Sequence, residues 1–379
     1  MASDADARSS AAPDAASQVT PDGRAARRPL SIGVLLALQA PAGGALTPAE
    51  AFSAVPALAR ELEEWGFDSL FFTEHHGSLI NEVPSPFVLA AAAAATTERI
   101  RVGSAVALPA FYHPLRLAED VSTLDNLSRG RVTVGVGMGY RDEEFARFGI
   151  DPRWKVSHLV ESVRILRRLF AGEEFDFDGR VHRLSAARIA PLPVRREVPV
   201  WMGAQKRPGL TRAGEMGLTL PLSGAPLPIA VKQRAIYDDA LAGAGHDPTS
   251  VEYPVVRECF CAATDEEAWS VAAPYLETLF ADYSGHMKLP SVGRDGAYRA
   301  DADEGALKAD TLREFGRDRM LIGSPETLAA EFARHGATLP CDHYVLRMHF
   351  PGMPLDIARA SMRRFAHEVM PALRKGFAA

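Results

Sequence analysis

The chain is poor in the residues that staple, span or clamp. Three cysteines in 379 residues cannot brace a fold of this length. The spacing of Cys259, Cys261 and Cys341 fits neither a disulfide framework nor a paired zinc knuckle, so free thiols in a reducing compartment are expected. No His-x-x-x-His or Cys-x-x-Cys arrangement offers a metal-ligand set, and no Gly-x-Ser-x-Gly elbow offers a hydrolytic serine. No run approaches the roughly 18 apolar residues of a membrane span; even 89–95 stops at Thr96-Thr97-Glu98. A basic excess is also missing: 42 Lys and Arg face 48 Asp and Glu, leaving -6 at pH 7, which argues against a nucleic-acid surface. What is present is the composition of a globular chain, 47% hydrophobic and 24% charged. Its length allows one large α/β barrel or two ordinary domains.

Residues 1–28 are rich in Ala, Asp, Ser and Arg and too poor in large apolar side chains to offset their ordering entropy, so a disordered tail is expected. Arg27-Arg28 before an apolar run imitates a twin-arginine export signal. The run 32–38, bounded by Pro29 and Pro41, suits an inner parallel strand better, and a cytoplasmic protein is expected. From Pro29 onward, short apolar runs alternate with helical patterns. Strands are predicted at 32–38, 69–73, 100–108, 132–137, 200–203, 218–222, 254–262 and 343–350. Between them Val55, Leu58, Leu62 and Trp65 recur at helical steps, as do Val156, Leu159, Val163, Leu166 and Phe170. Eight such units make a single (β/α)8 TIM barrel over 29–379, whose reactive groups sit on loops at the C-terminal ends of the strands. Two stretches interrupt the alternation: an Asp-Gly hairpin at 175–184, and the polar stretch 284–319, read as a lid-like loop.

Several ordered blocks carry a resemblance. Trp65-Gly66-Phe67-Asp68-Ser69-Leu70-Phe71-Phe72-Thr73-Glu74-His75-His76 is followed by 101–109, by His113-Pro114-Leu115-Arg116-Leu117-Ala118-Glu119-Asp120, and by 124–131. Ile322-Gly323-Ser324-Pro325-Glu326-Thr327 and Glu368-Val369-Met370-Pro371 complete the set. Over about residues 30–375 the sequence resembles the bacterial luciferase family of flavin-dependent monooxygenases. The resemblance implies a barrel that binds one FMN, often supplied as FMNH2 by a separate flavin reductase. It also implies O2 as co-substrate, a flavin C4a-(hydro)peroxide as the oxygenating species, and a homodimer.

It makes His75 the catalytic position, and histidine is the side chain whose ordinary pKa allows proton exchange near neutrality. Glu74 and His76 stand beside it. Gly103-Ser104-Ala105-Val106 ends a strand with small residues that let a flat ring approach, and the resemblance places a non-proline cis peptide at Ala105-Val106. Gly137-Met138-Gly139-Tyr140 ends the next strand. In luciferase the positions matching Gly137 and Met138 are a reactive cysteine and a phosphate-contacting arginine, so the flavin phosphate needs charge from elsewhere. Gln205, Lys206 and Arg207, where a helix begins, are the expected replacement. His113, Arg347, His349, His286 and Lys288 are further candidates for the pocket. Phe72, Phe111, Tyr112, Tyr140 and Met138 suggest an apolar pocket. The expected activity is oxygenation of a small, largely apolar organic substrate, in a setting such as natural-product metabolism. A deazaflavin-dependent hydride transfer and a non-catalytic flavin-binding barrel remain open beside it.

Overall fold

Apolar runs with β-branched and aromatic residues pair side by side because parallel strands buried on both faces need hydrophobic residues in both directions. In the computed structural model, which describes residues 28–286, 291–292, 298–299 and 309–378, twelve strands form. They are β1 (Ser31–Leu36), β2 (Ser69–Phe72), β3 (Arg101–Ala107), β4 (Val132–Val136), β5 (Phe175–Asp178), β6 (Arg183–Ala187), β7 (Val200–Met202), β8 (Pro254–Cys261), β9 (Ser291–Val292), β10 (Tyr298–Arg299), β11 (Leu321–Gly323) and β12 (His343–Arg347). β1, β2, β3, β4 and β7 neighbour one another in that order, while β1 also pairs β12 and β12 pairs β8. Segment 218–222 carries the circuit from β7 to β8, since Trp201 bridges Thr219 and Leu222 bridges Val255, both in parallel. The eight members of this ring are the eight runs predicted from the sequence. β11 is a ninth parallel strand, paired to the end of β8. It is as short as β7 and follows directly on the polar stretch 284–319, so nothing in the sequence marks its start.

Alternation along the strands separates two faces. Leu35, Phe71, Trp201, Val256 and Val345, with Ala105 against them, form a buried cluster of their own, which is the barrel interior. Their neighbours Val34, Leu36, Leu70, Val255, Tyr344 and Leu346 belong to the larger core beneath the helices. Burying a side chain such as Phe71 is worth about 1.5–3 kcal/mol. One step toward the strand beginnings, Ser69 Oγ and His343 Nε2 meet at 2.8 Å. There Arg101 pairs Glu252 at 2.6 Å and closes that end with charge. One step toward the strand ends, the same inward face carries Ala37, Thr73, Gly203, Glu258 and Arg347.

The helices pack as their periodicity requires: Val55–Glu64 buries Val55, Leu58 and Leu62, and Lys155–Ala171 buries Leu159, Val163, Leu166 and Phe170. The hairpin forms between β5 and β6. Glu161 of the second helix accepts the N–H groups of Arg180, Val181 and His182, which ties the hairpin turn to the barrel's flank. The span 284–319 is not the featureless loop expected. The helix Asp265–His286 covers its start, β9 pairs β10, and a further helix occupies Ala309–Gly316. Residues 287–290, 293–297 and 300–308, Lys288 among them, and the tail before Arg28 lie outside the described residues. No helix among the described residues is long and apolar enough to cross a membrane.

Candidate active site

The site is built where the strands end. After β2 the chain passes through Glu74, His75 and His76. His75 Nδ1 lies 3.0 Å from Glu144 Oε1, and its Nε2 lies 3.3 Å from the Tyr140 hydroxyl. For the neutral ring the arrangement assigns the tautomer: a carboxylate can only accept, so Nδ1–H donates to Glu144 and the Nε2 lone pair receives the Tyr140 O–H. Glu144 also accepts the backbone N–H of His76 at 2.8 Å. Burial pushes its carboxyl up, yet the hydrogen bond and charge of His75 hold it below the ordinary range. Burial, then the nearby Tyr283, pushes the Tyr140 phenol well up, so it stays a donor at neutral pH.

Glu74 faces the other way. Its Oε1 pairs His76 Nε2 at 2.7 Å and its Oε2 accepts Leu108 N–H at 2.9 Å, which pins the loop after β2 to the end of β3. Burial raises its carboxyl despite His76. Ala105-Val106 is a cis peptide between non-proline residues, as the resemblance implies, and the β3–β4 register breaks between Ser104 and Ala107. Val106 then explains a glycine: a Cβ on Gly137 would lie 2.5 Å from Val106 Cγ2. The matching cysteine of luciferase has no room here. Gly203 and Ala105 complete a wall of small residues.

A second set of charges binds the loops together. Arg141, 4% exposed, pairs Glu82 at 2.5 Å and Asp282 at 2.6 Å. Gln39 donates to the other oxygen of Glu82. One guanidinium thus joins the loops after β1, β2 and β4 to the last turn of Asp265–His286, where His286 stands 3.8 Å from Asp282.

A sequence profile for luciferase-like monooxygenases matches residues 32–340. The chain belongs to the luciferase-like monooxygenase family. It spans 42% of the length of uncharacterised mycobacterial proteins that it matches at 40% identity. It is 23% identical over 322 residues to the oxygenase component of a flavin-dependent trigonelline monooxygenase from Acinetobacter baylyi, covering 83% of this chain and 88% of that one. Among solved structures, the monooxygenase RslO1 of Streptomyces bottropensis superposes with a TM-score of 0.76 at 25% identity, over 91% of this chain and all of that one (100%). The same fold, at 18% identity and a TM-score of 0.68, is that of a coenzyme F420-dependent tetrahydromethanopterin reductase from Methanopyrus kandleri, over 90% and 99% of the two chains.

Within this luciferase-like barrel the structure gathers Glu74, His75, His76, Ala105, Val106, Gly137, Met138, Gly139 and Tyr140 at one mouth. Gln205, Lys206 and Arg207 stand at the end of β7. Lys206 caps the helix Arg207–Glu215 with no side-chain hydrogen bond; Pro208 brings no N–H, the Gly209 N–H donates to the Lys206 carbonyl at 2.9 Å, and both cations are exposed. Gln205 is anchored through its carbonyl, which accepts Gln233 Nε2–H at 2.8 Å. Other expectations are corrected. Phe72 points outward into the core under the helices. Phe111 stacks on Phe148 and edges His76, while the Tyr112 phenol is pushed up by burial and the nearby Glu74 charge, so the wall is less apolar than the composition suggests. His349 turns away and donates to the Met353 carbonyl at 2.9 Å. His113 sits at an exposed helix start beside His182. Glu144, Arg141 and Glu82 escaped sequence reasoning. Their one available signal is the acidic run Asp142-Glu143-Glu144 directly after the Tyr140 strand end. Among the described residues no group of three or more His, Cys, Asp or Glu is placed to hold a metal ion.

Proposed function

We propose that the chain is the oxygenase component of a two-component flavin monooxygenase, receiving reduced FMN from a separate reductase and using O2 to oxygenate a small organic substrate. The observation that carries this reading is His75, whose two ring nitrogens are held by Glu144 and Tyr140 at strand ends that also bring the small residues Ala105, Gly137 and Gly203. The wall fits a flat ring, since a Cβ at Gly137 would fill the space next to Val106. The exposed cations Lys206 and Arg207, at the start of the helix Arg207–Glu215, fit a phosphate dianion. When bound, reduced flavin supplies the electrons that activate O2.

The side chains do the rest. Glu144 fixes His75 in one tautomer and one orientation. His75 Nε2 exchanges a proton with the reacting groups, with Tyr140 as its partner. Glu74 and His76 hold the loop after β2 against the β3 bulge. Arg141 keeps the roof in place and water out. Cytoplasmic location and a homodimer complete the proposal; the apolar helix Pro86–Ala94, with Val88 67% exposed, offers a face for the second copy.

Anaerobic titration with reduced FMN followed by an oxygen pulse tests the reading. A transient absorbance distinct from reduced and oxidised FMN supports it. Oxidation at the rate of free reduced FMN sinks it. The likeness to an F420-dependent reductase sustains the second reading, hydride transfer to a deazaflavin, which anaerobic turnover with that cofactor would establish instead.

A further inference from the structure

Two buried arginines reach the mouth of the barrel, and they are partnered differently. Arg141 is saturated by two carboxylates. Arg347 is 7% exposed, at the end of β12 on the inward face two residues beyond Val345. Among the described residues its guanidinium has one hydrogen-bond partner, the Tyr283 hydroxyl, and its Nε has none. A buried guanidinium with so little compensation is costly unless something else meets it. Glu258, level with it on β8, is the nearest candidate. Its charge is shared with Arg257 and Arg319 as well as Arg347. Among the described residues the other acids in range are taken, Glu82 by Arg141 and Asp318 by Arg334 at 2.6 Å.

We infer that the β8–β12 wall is the substrate anchor, and that Arg347, steadied by Tyr283, receives an ionised oxygen of the substrate: the class is an organic acid, as a carboxylate, a phenolate or the enolate of a 1,3-dicarbonyl. The inference rests on the mouth of the barrel being the substrate site, as proposed above. It also divides the labour of the pocket. The small residues of β3, β4 and β7 leave space for a ring, while β8 and β12 supply the charge that orients the molecule to be oxidised. Guanidinium suits this task because it presents several N–H donors in one plane.

The test uses matched probes and needs no knowledge of the natural substrate. 2-Naphthoate, 2-naphtholate and 2-acetylcyclohexane-1,3-dione are compared with methyl 2-naphthoate, 2-methoxynaphthalene and cyclohexanone. Binding to the flavin-free protein is followed by ligand-observed NMR. At least one acid should bind the wild type tenfold or more tightly than its neutral counterpart, and Arg347→Met should abolish that preference. Tyr283→Phe, which keeps the guanidinium, should retain it, so a folding defect in the first variant cannot imitate the result. The absence of any acid preference, whether both members of each pair bind or neither does, overturns the anchor, as does a preference that survives Arg347→Met. Reduced-FMN binding measured on the same samples separates the two readings. Flavin binding without acid preference removes only the anchor, and acid preference without flavin binding removes the monooxygenase assignment.

Discussion

Replacing Arg141 by methionine removes the one charge that joins four parts of the catalytic face. Among the described residues Glu82 is left buried at 6% exposure with Gln39 as its hydrogen-bond partner, and Asp282 is left beside His286. Breaking a buried ion pair by deleting one partner costs about 3–5 kcal/mol. Asp282 is partly exposed and recovers some hydration, so the loss belongs in that range and not at twice it. The thermal midpoint should then fall by roughly 6–10 °C. Lysine should recover less than half, since an ammonium cannot serve both carboxylates with fixed geometry. The pH dependence has a definite sign. Burial raises the Glu82 carboxyl, but the charges of His75 and Arg141 outweigh it and hold the folded value below 4.5. That depression stabilises the protein above the unfolded value and is lost as pH falls through the folded one. The variant lacks this contribution, so the gap between the two proteins should narrow from pH 7 toward pH 4. Melting curves across that range measure it. The triple change Arg141→Met, Glu82→Gln, Asp282→Asn, which removes the charges together, should regain most of the loss. A gap below 1 kcal/mol, or one that does not shrink in acid, refutes the reasoning.

Other outcomes follow from the same geometry. His75→Ala should lower turnover by about 10²–10⁴-fold while leaving the FMN dissociation constant within a few-fold; unchanged turnover removes His75 from the chemistry. Lys206→Ala with Arg207→Ala should weaken FMN binding several-fold and riboflavin binding hardly at all, and an equal loss for both ligands would move the phosphate site elsewhere. Gly137→Ala forces a methyl against Val106 and should destabilise the protein by about 1–3 kcal/mol, with Val106→Ala in the same background restoring most of it. Burial depresses the His343 imidazole to about 3, so the unfolded chain takes up its proton first and stability is lost as pH falls below about 6.5. His343→Gln should flatten that decline by about 1.4 kcal/mol per pH unit between pH 6 and 4; an unchanged slope in urea melts contradicts the burial argument.

The ring of eight was legible because each member is an apolar run long enough to stand out between amphipathic helices. β11 was not: it abuts the polar stretch 284–319 and is recognisable only by its pairing with Cys259, Phe260 and Cys261. The site divides in the same way. Glu74-His75-His76, the small residues before Leu108 and the Gln205-Lys206-Arg207 junction are contiguous, so the chain order itself exposes them. Glu144 with His75, Arg141 with Glu82 and Asp282, and Arg347 with Tyr283 are separated by 59 to 141 positions. Nothing local in the sequence says that these charges meet. The aromatic residues misled for a related reason: composition counts Phe72 and Phe111, but strand alternation and loop packing decide which way they face.

That division has a consequence for how the pocket is specified. The blocks that carry the family resemblance lie on β2, on β3, along the helix Pro114–Ser128 and at the chain's C-terminal pieces. On the inward face these blocks supply Thr73, Ala105 and the loop that holds His75. The proposed anchor residues Glu258, Tyr283 and Arg347 lie in none of them. In this chain the wall beside Val106 is built from small residues with no space to spare: at Gly137 a single methyl would collide with Val106. The proposed β8–β12 wall instead carries charge where an apolar lining was expected. Exchanging residues on β8 and β12 should therefore change which molecule is oxidised while leaving flavin binding intact, whereas changes beside Val106 should do the reverse.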